Sequence, residues 1–362
     1  MASSLTPSLA EWLDASAGGL DSGILEPAGV VPTLAESGLF RAGLAAELGG
    51  DGGDITDAVE AIASVSERSL AAGFVFWGQR TFIDYLVQSS NERLRQALLP
   101  DLLAGAVAGA TGLSNAMKFL SGLEGLQIKA RRVGDGYELD GKLPWVTNLR
   151  PRGFHVAAAV AEEATGATLV VSIPWDAAGV TRSADLELMA MRASNTAAID
   201  LKAAPLAAAQ VLATDARAWL PLVRPAFLGM QCGLSIGLAR RGLAEARAHL
   251  GAGRHILTEP LDDLAGALGR CEVALRDGLR GGAFATAAAP LFELRIQLAE
   301  IAQEAVSLEL QAAGGRAYLT ASGQGFQRRW REAAFVPIIT PSLVQLKAAL
   351  ATHRADVAGR AA

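Results

Sequence analysis

Gly134-Asp135-Gly136-Tyr137-Glu138-Leu139-Asp140-Gly141-Lys142-Leu143-Pro144-Trp145-Val146-Thr147-Asn148 is the stretch on which the reading of this chain turns. Apolar and polar residues alternate through Ile128–Val133, a Gly-Asp-Gly turn follows, and the alternation resumes, which is the pattern of a β-hairpin. The second strand runs into Trp145-Val146-Thr147-Asn148. An indole face there stands beside a short run whose backbone and hydroxyl groups suit a planar heterocycle. The same residues also suit an ordinary hairpin with a packing tryptophan.

On both sides of this region the period changes. Residues 1–110 read as helices. Ser89-Ser90-Asn91-Glu92 has the form of a capping box opening a helix through Leu98, with Pro100 breaking or restarting it and Gly105 ending it. Leu48–Gly53 reads as a loop ahead of an alanine-rich helix around Ala58–Ser69. From 111 to 206 the period is two, with further strands expected at Phe154–Ala161, Thr168–Ile173 and Ala197–Leu201. From 207 to 362 it returns to 3.6, broken at Gly251–Gly253 and Gly281-Gly282, as in a helical bundle. Gly229, Gly233 and Gly237 strip one helix face of side chains, which predicts close helix–helix approach.

Composition narrows the function. With 362 residues, 51% of them hydrophobic and 19% charged, the chain suits two or three domains with extensive buried contacts. A net charge of −5 without runs of Lys or Arg argues against nucleic acid. Cys232 and Cys271 lack metal-ligand spacing and read as buried hydrophobes in a reducing compartment. The start, Met1-Ala2-Ser3-Ser4-Leu5, has no basic region followed by an apolar run, so no secretory signal is expected. Leu220–Ala239 is apolar, but Pro221, Arg224, Pro225 and Gln231 interrupt it, so a buried helix is expected in place of a membrane span, and a cytoplasmic location with it.

Six segments together resemble the acyl-CoA dehydrogenase superfamily. Ala46–Gly50 resembles its Gly-Gly loop, Leu99–Gly105 its Leu-Pro-x-Leu-x-x-Gly turn, and Gly136–Asn148 its hairpin ending in Trp-x-Thr-Asn against the flavin. Arg192–Thr196 is similar to its Arg-x-Ser-x-Thr loop, Gln311–Tyr318 to Gln-x-x-Gly-Gly-x-x-Tyr, and Arg329–Ala333 to the Arg-Asp-Ala turn. The resemblance implies an α+β multidomain fold with an N-terminal helical domain, a middle β-barrel or sandwich domain and a C-terminal four-helix bundle. It implies FAD bound by Thr111 and Ser114 at a strand end, by Trp145, Val146 and Thr147, and by Gln311, Gly314 and Gly315 from a neighbouring subunit. A homodimer or homotetramer follows. So does an acyl-CoA-like substrate, and an electron-transfer flavoprotein or flavin reductase as redox partner.

The chain departs from the family where chemistry is concentrated. Thr-Glu-Pro becomes Thr111-Gly112-Leu113, and Leu250 stands where an arginine meets the pyrophosphate, with Arg254 as the nearest substitute. Dehydrogenation needs a carboxylate to take the α-proton. The family's two base positions fall at Thr340 and Phe227, neither of which is a base near neutral pH. Glu124 and Glu332 are the nearest carboxylates by motif, the latter expected to pair with Arg329 or Arg331. His155 and His249 read as structural or surface groups, and His353, on the terminal helix, as a candidate substitute. Three readings remain: a flavin-dependent dehydrogenase of acyl compounds, a two-component monooxygenase using reduced flavin, and a non-catalytic partner subunit of a heteromeric acyl-CoA dehydrogenase.

Overall fold

Side-chain caps set the first helices. Asp54 accepts from the Thr56 N–H while Asp57 accepts from the Asp54 N–H, opening the helix Ile55–Ser66, and Ser69 accepts from the Ala72 N–H to open Leu70–Gln88. The computed structural model describes residues 5–361 except 121 and 123. Its helices begin with α1 Pro7–Ser22, α2 Val30–Glu36, α3 Ile55–Ser66, α4 Leu70–Gln88 and α5 Glu92–Leu103. Asn91, and not Ser89, caps α5, accepting from the Leu94 N–H; Ser89 instead ends α4 and donates to the Leu212 carbonyl. Pro100 does not break α5. One lost backbone bond is outweighed by burial of Leu99, Leu102 and Leu103.

The strands are β1 Ala108–Thr111, β2 Lys129–Val133, β3 Gly136–Val146, β4 Phe154–Glu162, β5 Thr168–Pro174, β6 Val180–Arg182, β7 Ala197–Leu206 and β8 Val211–Ala213, with α6 Ser114–Leu120 between β1 and β2. They form one mixed sheet in the order β6-β7-β3-β2-β4-β5-β8, with β1 parallel to the start of β4. The hairpin β2–β3 pairs Val133 with Gly136 across a two-residue turn, as the alternation predicts. Both faces of β4 are buried, in different cores. Val156, Ala158 and Val160 join the sheet's own core, while Ala157 and Ala159 face the helices.

The remaining helices are α7 Ala216–Ala248, α8 Thr258–Arg280, α9 Ala283–Thr286, α10 Ala289–Ala313, α11 Gln324–Phe335 and α12 Leu343–Ala361. α10 packs against α7, α8, α11 and α12, and α3 lies along α7. That last contact explains two of the three spaced glycines, Gly233 and Gly237, while Gly229 faces the Leu279 side chain of α8. A Cβ on Gly233 would come within 2.7 Å of the Val59 carbonyl oxygen, and one on Gly237 closer still to that of Ala63. By length and hydropathy α7 could cross a bilayer, but 78% of its apolar window is buried against protein. A second such window, in Gln324–Ala355, is 39% buried and is divided between α11 and α12. Cys232 and Cys271 are free and buried, and burial pushes the Cys232 thiol up to about 12.

Candidate functional site

A cavity of about 480 Å³ opens where the sheet meets the helices. On the sheet side, a bulge builds it. Leu143 pairs with Ile199 and Val146 with Ala197, so β3 takes three steps against two on β7. The extra residue throws Pro144 and Trp145 out of the regular ladder, leaving the indole 62% exposed at the cavity mouth. Buried hydroxyls follow: Thr147 Oγ1 lies 3.0 Å from Thr196 Oγ1, which lies 2.8 Å from Ser194 Oγ. Thr111 ends β1 and shares a 3.0 Å hydrogen bond with the Tyr85 hydroxyl, which burial keeps protonated. Ser114 is not at a strand end; it begins α6, and still reaches the cavity wall.

A buried amide cluster holds this side in place. The Asn148 amide donates to Gln79 Oε1 and to the Gly109 carbonyl, both at 2.9 Å, and Gln79 Oε1 also accepts the Gly109 N–H. Gln79 Nε2 donates in turn to the Leu102 and Val107 carbonyls. α4, β1 and the end of β3 are thus tied by two side chains. Asn148, Met191 and Asn195 all adopt positive φ, and the Asn148 and Leu149 N–H groups donate to the Ser194 and Asn195 carbonyls. The Arg192–Thr196 segment is therefore bound directly beside the Trp145–Asn148 segment.

The helix side is aromatic. Phe335, Phe74, Trp77 and Phe227 form a chain of rings with successive centroids 5.1, 5.4 and 5.2 Å apart. Sequence reading missed Phe74, Trp77 and Phe335; the run Phe74-Val75-Phe76-Trp77 in α4 is the local trace of this wall. Ile338, Ile339 and Thr340 complete it. Their segment is held by a fully buried relay: Arg295 donates to Gln231 Oε1 and the Val336 carbonyl, both at 2.8 Å, and Gln231 donates to the Thr340 carbonyl at 3.0 Å. Arg295 has no carboxylate partner among the described residues, and burial lowers its pKa.

Phe227 and Thr340, the positions at which the resemblance puts the family's base, both line the cavity. Among the described residues lining it, Glu124 is the single carboxylate. Asn115 donates to Glu124 at 2.8 Å and Lys118 lies 3.3 Å away, so the group is held below the ordinary carboxylate range. Its basicity is weak. Glu332 does not line the cavity and pairs with neither Arg329 nor Arg331. Arg328 donates to both its oxygens at 2.8 and 2.9 Å, while Arg329 is taken by Glu309 and Arg331 by Asp21. None of the four histidines lines the cavity. His155 bonds Ser172 at 2.9 Å, and burial lowers it to about 4; His249 donates to the Glu245 carbonyl.

Gln311, Gly314 and Gly315 do not line this chain's cavity either. They end α10, where Arg254 Nη2 stands 3.0 Å from the place a Gly314 Cβ would occupy. Arg254 and the Gly-Gly turn thus share one surface. No cluster able to hold a metal ion occurs among the described residues.

Comparison with known proteins agrees with this architecture. The model of the acyl-CoA dehydrogenase N-terminal domain matches residues 2–106. The chain resembles the acyl-CoA dehydrogenase superfamily over that N-terminal part. It is 28% identical over 183 residues, 49% of its length, to the probable acyl-CoA dehydrogenase YngJ of Bacillus subtilis (strain 168). It spans about half the length of the curated relatives it matches, 48% in that case. Its fold is like that of butyryl-CoA dehydrogenase from Megasphaera elsdenii, at a TM-score of 0.81 with 16% identity over 96% of this chain and 95% of the other. It is also like that of dibenzothiophene monooxygenase from Paenibacillus sp. A11-2, at 0.75 with 18% identity over 95% and 94%.

Proposed function

We propose that this chain is a flavin-dependent oxidoreductase that seats FAD in the cavity and acts on an acyl-CoA or related acyl thioester. The observation that carries the reading is the bulge at Pro144–Trp145. It presents an exposed indole and backbone outside the regular ladder beside the Thr147–Thr196 hydroxyl pair, opposite an apolar wall. A flat heteroaromatic ring with a polar edge needs such a slot. When bound, the flavin supplies two-electron redox chemistry. Trp145 covers one face of the slot, Thr111, Ser114 and Thr147 offer hydroxyls to the polar edge, and the ring wall excludes water from the acyl group. A second copy would contribute Gln311, Gly314, Gly315 and Arg254 toward the pyrophosphate, making a homo-oligomer the working form. We place it in the cytoplasm, with an electron-transfer flavoprotein or flavin reductase as redox partner.

A second reading is a two-component monooxygenase. The missing carboxylate favours it, since neither Phe227 nor Thr340 can take an α-proton and Glu124 is a weak base. Anaerobic titration with oxidised and reduced flavin, followed by an acyl-CoA screen, separates the two. Tight binding of oxidised FAD with bleaching by an acyl-CoA supports the dehydrogenase. Binding of reduced flavin alone supports the oxygenase, and binding of neither supports a non-catalytic subunit. Thr340→Glu in a flavin-loaded sample should create or raise acyl-CoA oxidation.

A further inference from the structure

The aromatic wall has a consequence for what the cavity accepts. Phe74, Trp77 and Phe227 are buried to within 6% of complete, whereas Trp145, Met189 and Ile338 at the cavity's other reaches are more than half exposed. Phe74, Trp77 and Phe227 therefore form its closed end, with the half-buried Phe335 beside them on the side toward the mouth. Phe74 and Trp77 stack within 3° of parallel, and the Trp77 indole N–H donates to the Phe227 carbonyl at 3.3 Å. That hydrogen bond fixes the indole and uses up the single polar group of the four rings. Arg331 lines the cavity on the turn before Phe335, but Asp21 pairs with it, so no free charge faces the end wall. Phe227 also occupies one of the two base positions; where a carboxylate would stand, a ring closes the chamber.

We propose that Phe74, Trp77, Phe227 and Phe335 form a blind aromatic box that admits a compact, uncharged acyl end, a short chain or a single ring, and stops a long straight chain. A ring gains edge or stacking contacts with the wall, and a short alkyl group gains burial. A long chain needs a tunnel that the locked rings deny it. The choice of acyl class rests on the thioester reading above, while the closed box does not.

The test therefore uses carrier-free probes: the N-acetylcysteamine thioesters of butanoate, 3-phenylpropanoate and dodecanoate. The intact chain is labelled with 5-fluorotryptophan, and the Trp77 resonance is assigned by its loss in Trp77→Phe. Butanoyl and 3-phenylpropanoyl probes are expected to shift that resonance and the dodecanoyl probe to leave it in place. Phe227→Ala should open the end and tighten dodecanoyl binding on the order of tenfold, the scale of a few buried methylenes. Phe227→Leu, which keeps more buried volume, should give a smaller gain in the same direction and serves where the alanine variant does not fold. A dodecanoyl probe that shifts Trp77 as strongly as the short ones, or no shift with any probe, overturns the box. A shift with the short probes but no oxidation of any acyl-CoA leaves the box standing and removes the dehydrogenase reading.

Discussion

Where the sheet lines the cavity, hydroxyl meets hydroxyl, from Thr147 to Thr196 to Ser194; where the helices line it, ring meets ring, from Phe335 to Phe227. The two walls obtain their rigidity from different physics. Hydroxyl contacts are directional and each is worth about 1 kcal/mol net, but a buried partner left alone costs more than the bond contributed. Ring contacts tolerate small shifts and draw their strength from area removed from water. A cavity with one wall of each kind orients a polar ring edge on one side and selects by volume on the other.

The contrast is open to attack by substitution. The largest effect should come from Trp77→Ala. It removes the central ring of the helix wall and should cost about 3–5 kcal/mol, read as a lower urea midpoint. A pH series probes a site outside both walls, on the helix-facing side of β4 beside Phe82. His155 is lowered to about 4 from an ordinary 6.5, so its neutral form stabilises the fold fully above pH 6.5, and this is lost as pH falls through 4. The loss amounts to roughly 3 kcal/mol, and His155→Gln should flatten the stability profile across that window. Thr196→Val keeps the shape but leaves the Thr147 and Ser194 hydroxyls without their shared partner, for about 1–3 kcal/mol by the same unfolding measurement. Trp145→Ala should change stability by less than about 0.5 kcal/mol, because the indole is exposed, yet lower flavin content in the purified protein. Equal destabilisation by Trp145→Ala and Trp77→Ala would erase the distinction between an exposed recognition face and a structural wall.

The hairpin half of the sheet wall was legible in the sequence because it is local, whereas the meeting of Thr147 with Thr196, 49 residues on, was not. The hairpin, its turn and the Trp145–Asn148 run lie within one continuous stretch, and alternation gave the faces. The helix wall was not. Its rings come from α4, α7 and α11, and at helical spacing each reads as an ordinary core residue. The partner of Glu332 was misjudged for a related reason. Arg328, four residues before it, has the right spacing on the helix, while Arg329 and Arg331 are claimed by Glu309 and Asp21 from elsewhere in the chain. Likewise, nothing local marks Arg295 and Gln231 as supports of the 336–340 segment; only the fold brings α7 and α10 beneath it.

At Gly233 and Gly237 the bare face that α7 turns toward α3 brings the backbones of two helices into direct contact, flanked by Ile62 and Ser66. The amino-terminal helices and the carboxy-terminal ones are thereby welded along their longest shared seam. Such a seam opposes any ligand entry that needs these two blocks to swing apart. It directs attention instead to the rim, where Met189 and Ile338 stand in solvent.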